Sequence, residues 1–375
     1  MRESFLQLLN GEQPTEIVWS ADITYWVDGC SASGRADPHW QTEIGLLELS
    51  RDLGMMPYFW YGKFWAAEPR YDSRIEVFTT AEGMRRTTTW RTPVGTISAE
   101  WRRMEGCWSE APTRYAVQDE RDLEVLLYVL EHRRLEPMNL DDFRQRLDLW
   151  ARYDGVPCLG LPRSPLPAFI VDWAGVEHGA LLAMDYPDKL EEILRLMTNQ
   201  EQPVLEAVAE LKPPLVHFPD NLSSDNLTTF FEAHMMDRYR QRLDFLHAAG
   251  VRCAVHLDGS VRGLLPRLAA VGFDAVEALT PKPVGDVSVT DMRALAANDR
   301  VVLWGGVPGP MFCPPFTWDD IRQHTQTLLS AWASGLFILG VGDQVPPDGD
   351  LDFVRKISDL VRHQGGGRGK PGKEL

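Results

Sequence analysis

RCAVHLDGSVRGLLPRLAAVGFDAVEAL, residues 252–279, is the stretch that decides the fold. It begins with a short apolar segment, residues 252–257, and passes through a polar loop into a helical pattern over residues 261–270. A second apolar segment follows at residues 274–279. This order of strand, loop, helix and strand is typical of the βαβ unit of a parallel sheet. The order recurs from about residue 215 to the end of the chain, which predicts an α/β fold.

Nine apolar segments are predicted as strands: residues 16–22, 56–60, 156–161, 168–173, 215–220, 252–257, 274–279, 301–305 and 336–341. Eight βα units that close on themselves form a TIM (β/α)8 barrel. An open doubly wound sheet is the alternative, but it usually carries a Gly-rich phosphate turn after its first strand. Here the first strand ends in Trp19-Ser20-Ala21-Asp22, without such a turn. We therefore predict the barrel, with one of the nine segments outside it.

The N-terminal third contains a segment that does not fit the βα pattern. Residues 87–101 alternate β-branched and aromatic side chains around Pro93 and Gly95, which predicts a β-hairpin excursion within residues 75–115. We expect residues 1–363 to form one barrel domain. The Gly-rich residues 364–375 are predicted to be a disordered tail.

Composition excludes several classes of function. Lys and Arg number 38 and Asp and Glu 54, for a formal charge of −16, so phosphate-rich nucleic acid and anionic membranes would be repelled. No apolar run reaches the roughly 18 residues of a transmembrane helix. The five cysteines are scattered and form no C-x-x-C pair, which argues against a disulfide framework or a zinc ribbon. Reduced thiols predict a cytoplasmic protein, and a homodimer is the default expectation for its oligomeric state.

Polar residues gather at the carboxyl ends of the predicted strands, where a TIM barrel places its active site. Side chains alternate along a strand, so His256 and Asp258 project to the same side, and Asp343 follows the last strand. A histidine and two carboxylates suit zinc or another divalent metal with one position left open. They equally suit an acid–base cluster without metal. A third interpretation makes His256 a core histidine and the aspartates helix caps.

Further candidates surround this group. Glu277 lies within an apolar strand and Asp22 ends the first strand, so we expect both to handle protons, although a structural ion pair would equally explain Glu277. Aromatic residues concentrated after the first two strands predict a flat-walled pocket. The residues expected to bind substrate are Asp220, Asn221, Tyr25, Trp26, Trp60 and Trp304. Helix capping would equally explain Asp220 and Asn221, and packing in the core or loops would explain most of the aromatic residues.

The order and spacing of several motifs resemble the uroporphyrinogen decarboxylase and methylcobamide methyltransferase superfamily. The resemblance rests on Phe218-Pro219-Asp220-Asn221, Val255-His256-Leu257-Asp258-Gly259, Leu303-Trp304-Gly305-Gly306 and Gly342-Asp343-Gln344. It extends over residues 1–362 and implies a TIM barrel.

The resemblance also implies chemistry. In the corrinoid-linked methyltransferases of this superfamily, zinc is held by a His-x-Cys motif and a later cysteine, and it activates a thiol. His256 matches that histidine, while Asp258 and Asp343 stand where the cysteines would be. Harder oxygen ligands would favour a substrate with a hydroxyl, carboxylate or ether oxygen. The resemblance further implies a partner protein that carries the corrinoid.

The decarboxylases of the superfamily match less well. They carry an arginine-rich segment after the first strand and a catalytic aspartate after the second, where this chain has Ala21–Trp26 and Tyr58–Tyr61. Decarboxylation of a tetrapyrrole is therefore not expected. The first hypothesis is a corrinoid-linked methyltransferase or demethylase, and the second is a metal-free decarboxylase or lyase of a small acid. The third is a binding barrel without catalysis.

Overall fold

The structure, a computed structural model, describes residues 1–60, 63–104, 109–138 and 140–365. Its strands are β1 (Trp19–Ser20), β2 (Ala67–Tyr71), β3 (Glu76–Glu82), β4 (Arg85–Thr92), β5 (Gly95–Arg103), β6 (Glu110–Arg114), β7 (Arg133–Pro137), β8 (Leu159–Gly160), β9 (Leu215–Leu222), β10 (Arg252–Leu257), β11 (Ala275–Leu279), β12 (Val302–Pro308) and β13 (Phe337–Gly342).

The α-helices are α1 (Arg2–Leu9), α2 (Thr24–Ala32), α3 (Glu43–Leu53), α4 (Glu120–Glu131), α5 (Leu140–Ala151), α6 (Pro165–Ala168), α7 (Val176–Asp185), α8 (Pro187–Leu211), α9 (Ser224–Leu227), α10 (Met236–Ala248), α11 (Leu265–Val271), α12 (Val289–Ala296), α13 (Trp318–Trp332) and α14 (Leu351–Gly365). Short 3-10 helices cover Pro38–Gln41, Thr228–Phe230 and Gly309–Phe312, and π-helices cover Phe169–Ala174 and Phe231–Met235.

A seven-stranded parallel sheet forms the centre of the molecule, in the order β1-β13-β12-β11-β10-β9-β8. From β9 to β13 each strand is followed by a helix that returns the chain to the next strand, as the repeated sequence pattern predicts. The strands from β10 to β13 are almost wholly buried, as expected for a parallel sheet covered on both faces. The predicted α/β fold with a parallel sheet is thereby confirmed.

Residues 56–58 hydrogen-bond to both edges of this sheet. The Met56 amide donates to the Trp19 carbonyl in β1 at 2.9 Å. On the other side, the amides of Val156 and Cys158, just before β8, donate to the carbonyls of Pro57 and Tyr58 at 3.1 and 2.9 Å. The segment predicted as a strand at residues 56–60 therefore runs between the two edge strands without being a regular strand itself. Closure into a complete eight-stranded barrel stays a prediction.

The N-terminal excursion is larger than the predicted hairpin. β4 and β5 do form an antiparallel hairpin over the predicted residues, but β3 and β6 flank them in a four-stranded antiparallel sheet. β2 and β7 form a separate antiparallel ribbon. The domain boundary at residue 363 also stays a prediction: α14 extends to Gly365, and residues 366–375 lie outside the described residues.

The predicted strand at residues 168–173 is wrong. This segment is helical, because α6 begins with Pro165 in its first turn and continues directly into the π-helix Phe169–Ala174. Proline is well tolerated in the first turn of a helix. A short apolar run fits a buried helix as well as a buried strand, so periodicity alone could not separate the two.

The inward faces of the parallel strands form a compact apolar layer near their amino ends. Phe5 and Leu8 of α1 pack there with Trp304, Tyr58 and further buried side chains. The polar residues of the candidate site lie farther along the same inward faces, toward the carboxyl ends. Within the described chain, no helix combines the length and hydropathy needed to cross a membrane.

Candidate active site

Three polar side chains occupy successive parallel strands on the face that points into the sheet's concave interior. His217 lies two residues after Leu215 in β9, His256 two after Ala254 in β10, and Glu277 two after Ala275 in β11. The three earlier residues belong to the apolar interior layer. Because side chains alternate along a strand, the polar three form the next layer on the same face. Strand register places His256 directly beside Glu277.

Glu277 is the centre of this group. Its Oε2 lies 2.8 Å from Nδ1 of His256 and 3.1 Å from Nε2 of His217. Its Oε1 accepts a hydrogen bond from the Tyr58 hydroxyl at 3.0 Å. Glu277 and His217 are buried, so these contacts are shielded from water. A buried carboxylate is costly without partners, and here three side chains supply them.

The histidines and the carboxylate change each other's ionisation. Burial alone would raise the pKa of Glu277, but His256 and then His217 hold it below its ordinary value. Burial would likewise lower the pKa of His256, but the Glu277 carboxylate beside it outweighs this and raises it to about 9. An ionised Glu277 paired with a protonated His256 is therefore the stable state near neutral pH.

The second nitrogen of His256 faces the open side of the site. Its Nε2 lies 3.8 Å from Oδ1 of Asp343, a distance too long for a direct hydrogen bond. The Asp343 side chain is 49% exposed, whereas that of His256 is 15% exposed. Partial burial, only partly offset by His256, raises the pKa of Asp343 to about 6. The gap between His256 and Asp343 is thus a polar position open to a ligand.

Asp22 adds a second buried carboxyl group. Its Oδ1 accepts hydrogen bonds from the backbone amide and hydroxyl of Thr24, and its Oδ2 accepts one from Gln344 at 2.8 Å. Burial raises the pKa of Asp22 against these hydrogen bonds, and the negative charge of Glu277 raises it further. Asp22 is therefore easier to protonate than an exposed aspartate.

Three of the six described non-glycine residues with a left-handed backbone lie in or directly after the carboxyl halves of parallel strands. Asn221, Ala278 and Asp343 have left-handed backbones, with φ of 53°, 66° and 62°. Such a conformation costs a non-glycine residue about 1 kcal/mol or more. Ala278 follows Glu277 directly, and Asp343 faces His256. The strained positions therefore include residues that shape the candidate site.

The predicted metal ligands are only partly assembled. Among the described residues, His256, Asp258 and Asp343 do not form a group whose ligand atoms all lie within 4.8 Å of one another, whereas His217, His256 and Glu277 do. Asp258 instead accepts a hydrogen bond from the Gly259 amide at 2.6 Å and contributes negative charge near His256.

A second group of possible ligands lies at the amino end of the sheet. His247, Cys253 and Asp274 have ligand atoms within 4.8 Å of one another. Asp274, however, is already paired with Arg252 at 3.3 Å and accepts a hydrogen bond from the Cys253 amide. These contacts make Asp274 a connector between β10 and the start of β11.

Two of the residues expected to bind substrate lie within the protein core. Asp220 is fully buried and accepts hydrogen bonds from the Ser164 amide, the Ser164 hydroxyl and the Tyr239 hydroxyl at 2.6–2.7 Å. Trp304 is 1% exposed and donates to Ser20 Oγ at 2.9 Å. These contacts engage the polar groups of both residues, and their role in substrate binding stays a prediction. Asn221 is exposed at the end of β9, with the strained backbone noted above.

The remaining aromatic residues lie around the segments that follow β1 and residues 56–58. Trp26 is half-buried, donates to the Gly349 carbonyl at 2.9 Å and lies against Trp40. Trp60 and Trp40 line a cavity of about 360 Å³, together with Thr24, Val27, Asp28, Gln41, Leu46 and Lys63. Thr24, which donates hydrogen bonds to Asp22, is therefore one of the residues that line this cavity. Tyr25 follows Thr24 and is half-buried.

Sequence analysis missed His217 and Tyr58. The signal for His217 was present: a histidine two residues after Leu215 in an apolar strand follows the same alternation that selected His256. Tyr58 had no comparable signal, because its segment is not a regular strand and nothing in the sequence distinguishes it from the neighbouring aromatic residues. Its position depends on the backbone hydrogen bonds of residues 56–58 to the sheet edges.

Comparison with known proteins agrees with this architecture. The family model of uroporphyrinogen decarboxylase (URO-D) matches residues 137–364, well over half of the chain. This chain belongs to the uroporphyrinogen decarboxylase family. The match includes His217, His256, Glu277 and Asp343. Among curated proteins, no sequence matches this member of the family.

Solved structures extend the likeness to the whole chain. A methyltransferase from Methanosarcina mazei is similar with a TM-score of 0.60 at 16% identity, covering 97% of this chain and 98% of its own. At that identity the match shows a common fold. A B12-independent methionine synthase from Shewanella sp. W3-18-1 covers 71% of this chain and 75% of its own, with a TM-score of 0.41 and 11% identity. That similarity is too low to carry an argument.

Proposed function

We propose that this member of the uroporphyrinogen decarboxylase family is a methyltransferase that moves a methyl group between a small substrate and a corrinoid carried by a partner protein. The fold shared with a methyltransferase over nearly the full length of both chains supports the proposal. The observation that carries it is the arrangement of His256, whose Nδ1 is held by Glu277 while Nε2 faces the open position beside Asp343.

This arrangement suits the charge that develops during methyl transfer. When a methyl group leaves an oxygen or nitrogen atom, that atom keeps the bonding electron pair and needs a proton or a positive charge. His256, with a pKa of about 9, is protonated at neutral pH and can donate its Nε2 proton to that atom. Glu277 stabilises the charged imidazolium and fixes its orientation, and the Tyr58 and His217 contacts fix Glu277 in turn.

The same position also suits a divalent ion. An imidazole nitrogen with carboxylate oxygens nearby is a donor set that zinc and harder ions accept. We propose that His256 and Asp343 would hold the ion, with Asp258 contributing charge and Glu277 orienting the histidine. When bound, the ion would polarise the substrate heteroatom and replace the His256 proton. The buried set His217, His256 and Glu277 is the alternative.

The remaining features of the proposal concern shape and partners. We propose that residues 56–58 take the eighth place in a closed (β/α)8 barrel, because they already hydrogen-bond to both edges of the sheet. The candidate site then lies at the carboxyl mouth of the barrel, where barrel enzymes bind their substrates. A corrinoid protein would dock over this mouth, and the aromatic cavity beside Thr24 would take the body of the substrate.

A methyl-transfer assay tests the proposal. The protein is mixed with reduced cobalamin and a panel of small methyl ethers, methylamines and methyl thioethers, and the corrinoid spectrum is followed. We expect at least one donor to methylate the corrinoid, and methylcobalamin to return the methyl group to the demethylated product. Absence of transfer in both directions across the panel, from correctly folded protein loaded with zinc, cobalt or no metal, would refute it.

A second function is favoured by Asp22. Decarboxylation leaves a carbanion that must be protonated, and a buried carboxyl group with a raised pKa is a suitable proton donor. Asp22 and His256 together could serve a metal-free decarboxylase of a small acid. Release of carbon dioxide from a labelled acid, with solvent deuterium entering the product and both lost in Asp22→Asn, would favour this function over methyl transfer.

A further inference from the structure

A separate cavity of about 330 Å³ lies between β8, the β2–β7 ribbon, the π-helix Phe169–Ala174 and helix α8. Among the described residues that line it, none belongs to the group of Tyr58, His217, His256, Glu277 and Asp343. Its volume falls within the range of pockets that bind small molecules. Nothing in the proposed methyl transfer uses it.

Flat aromatic side chains form two of its walls. Trp65 lies directly against Gly160 of β8, where an added Cβ atom would come within 2.7 Å of the Trp65 ring. Trp173 comes from the π-helix and packs on Trp90, with ring centroids 5.0 Å apart. Leu135, Met197 and several prolines and alanines complete an apolar lining. Such walls favour a flat ligand with an apolar body.

Charged groups stand at the opening of the cavity. Arg163 and Asp172 form an ion pair at 2.8 Å, with side chains 28% and 42% exposed. Only one terminal nitrogen of Arg163 takes part in that contact. Arg133 also lines the cavity and donates to Gln200 through two of its nitrogens. Arg133 is further engaged by the Tyr71 hydroxyl and lies over the Trp173 ring. Arg163 is therefore the guanidinium group left to meet a ligand carboxylate.

Glu201 supplies a different group from the interior. Its side chain is 3% exposed, and its Oε2 has no hydrogen-bond partner among the described residues. That oxygen lies 3.3 Å from Nε of Arg242, which balances charge without the geometry of a hydrogen bond. A buried carboxyl oxygen of this kind is costly unless it has a hydrogen-bond partner. A ligand carrying a hydroxyl or amino group at its inner end would supply that partner.

The local backbone supports a binding role. Asp172 and Trp173 lie on the π-helix Phe169–Ala174, and π-helical turns inside helices occur frequently at functional sites. Here the π-helix brings an ion-pairing carboxylate and an aromatic wall to the same cavity.

We infer that this cavity binds a small aromatic carboxylic acid with a hydroxyl or amino group on the ring. The ring lies between Trp65 and Trp173, the carboxylate meets Arg163 at the opening, and the donor meets Glu201 inside. This binding does not depend on methyl transfer, so either can fail without the other.

Titration calorimetry with 4-hydroxybenzoate tests the inference. We compare it with benzoate, which lacks the donor, phenol, which lacks the carboxylate, and 4-hydroxycyclohexanecarboxylate, which lacks the flat ring. Each of these three ligands is expected to bind about tenfold more weakly than 4-hydroxybenzoate. In Arg163→Gln, binding of 4-hydroxybenzoate is expected to weaken by about tenfold as well, while phenol binding stays unchanged. Arg322→Gln, a surface arginine in an ion pair on α13, is the matched control.

Thermal melts check that each variant is folded, and Arg163→Lys replaces Arg163→Gln if the latter is not. Glu201→Gln provides a second comparison, in which the preference for 4-hydroxybenzoate over benzoate is expected to fall. The inference is overturned if 4-hydroxybenzoate does not bind the wild-type protein at millimolar concentration. Equal binding by wild type and the folded Arg163 variant also overturns it, because the ligand would then occupy another site.

Discussion

Oε2 of Glu277 lies 2.8 Å from Nδ1 of His256, and this contact sets the ionisation of the candidate site. Burial pushes each residue toward its neutral form, yet the pair is stable as a carboxylate and an imidazolium. Neighbouring strand positions in β10 and β11 place the two side chains together. The contact leaves Nε2 of His256 as the nitrogen that can act on a ligand.

Replacing Glu277 with glutamine should lower the pKa of His256. The largest charge that offsets burial is lost, so the pKa should fall well below about 9, with only Asp343 and Asp258 left to raise it. Imidazole resonances followed by NMR across a pH titration of metal-free protein measure this change. Glu177→Gln, at an exposed position of α7, is the control. A wild-type His256 that titrates near 6.5 would contradict the assignment.

Any methyl-transfer activity should depend on the same contact. Without Glu277 the His256 ring loses its orientation and its charge, so Glu277→Gln should reduce kcat by about 10- to 100-fold. Tyr58→Phe removes one hydrogen bond to Glu277 and should cost less. Steady-state rates for both variants check the order, and a Tyr58→Phe rate below that of Glu277→Gln would show that Tyr58 has a role of its own.

Stability should depend on pH through Glu201. Burial raises the pKa of Glu201 from 4.5 to about 7, so between these pH values the folded protein holds a proton that the unfolded chain releases. Its stabilising contribution is complete below pH 4.5 and is lost as the pH rises through 7. The corresponding decrease in the free energy of unfolding is about 3 kcal/mol. Glu201→Gln should flatten this part of the stability profile.

Denaturant unfolding at several pH values measures the Glu201 effect. The difference between wild type and Glu201→Gln isolates it from Asp22 and Asp343, which also have raised pKa values. Glu210→Gln, exposed near the end of the same helix, should keep the wild-type profile. Parallel profiles for wild type and Glu201→Gln would show that Glu201 is ionised in the folded state.

Asp220 should matter for stability. It accepts three hydrogen bonds, from two groups of Ser164 and from Tyr239, in a fully buried position. Asp220→Ala should therefore lower the free energy of unfolding by about 3 kcal/mol. Asp225→Ala, at an exposed position nearby, should change it by less than about 0.5 kcal/mol. Equal unfolding midpoints for the two variants would contradict a structural role for Asp220.

Metal binding should distinguish the two possible ligand sets. If His256 and Asp343 hold the ion, then Asp343→Asn loses it and His217→Gln keeps it; the buried set predicts the reverse. Elemental analysis of protein purified without chelator measures this, with about one ion per chain expected in the wild type. His256→Ala should lose the ion in either case. Metal-free wild-type protein after reconstitution with zinc, cobalt and manganese would refute the metal proposal.

The sequence predicted the alternating strands and helices from β9 to β13 better than the rest of the fold. From β9 to β13, strand alternation and helix spacing point to the same structure, and each predicted strand is present. Alternation predicted that His256 and Asp258 project to the same side, and strand ends placed Asp343 near His256. The strand register in the structure shows that Glu277, rather than Asp258, lies directly beside His256. The strand predicted at residues 168–173 was wrong because an apolar run has no period that separates a buried helix from a buried strand.

Other parts of the site depend on contacts that local patterns do not encode. Tyr58 reaches Glu277 because residues 56–58 hydrogen-bond to both edges of the sheet. Asp220 and Trp304 lie at sequence positions that fit a mouth residue, but Ser164, Tyr239 and Ser20 engage their polar groups. Those partners are distant in sequence, so only the tertiary structure shows that these polar groups are already engaged.

The most direct test of the central claim is a single-turnover measurement of methyl transfer to reduced cobalamin, with wild type beside His256→Gln. We expect transfer from at least one small methylated donor by the wild type and a loss of about 100-fold or more in the variant. Asp319→Asn, at an exposed position of α13, should retain the wild-type rate. Equal rates for wild type and His256→Gln, or no transfer by folded wild-type protein, would contradict the account.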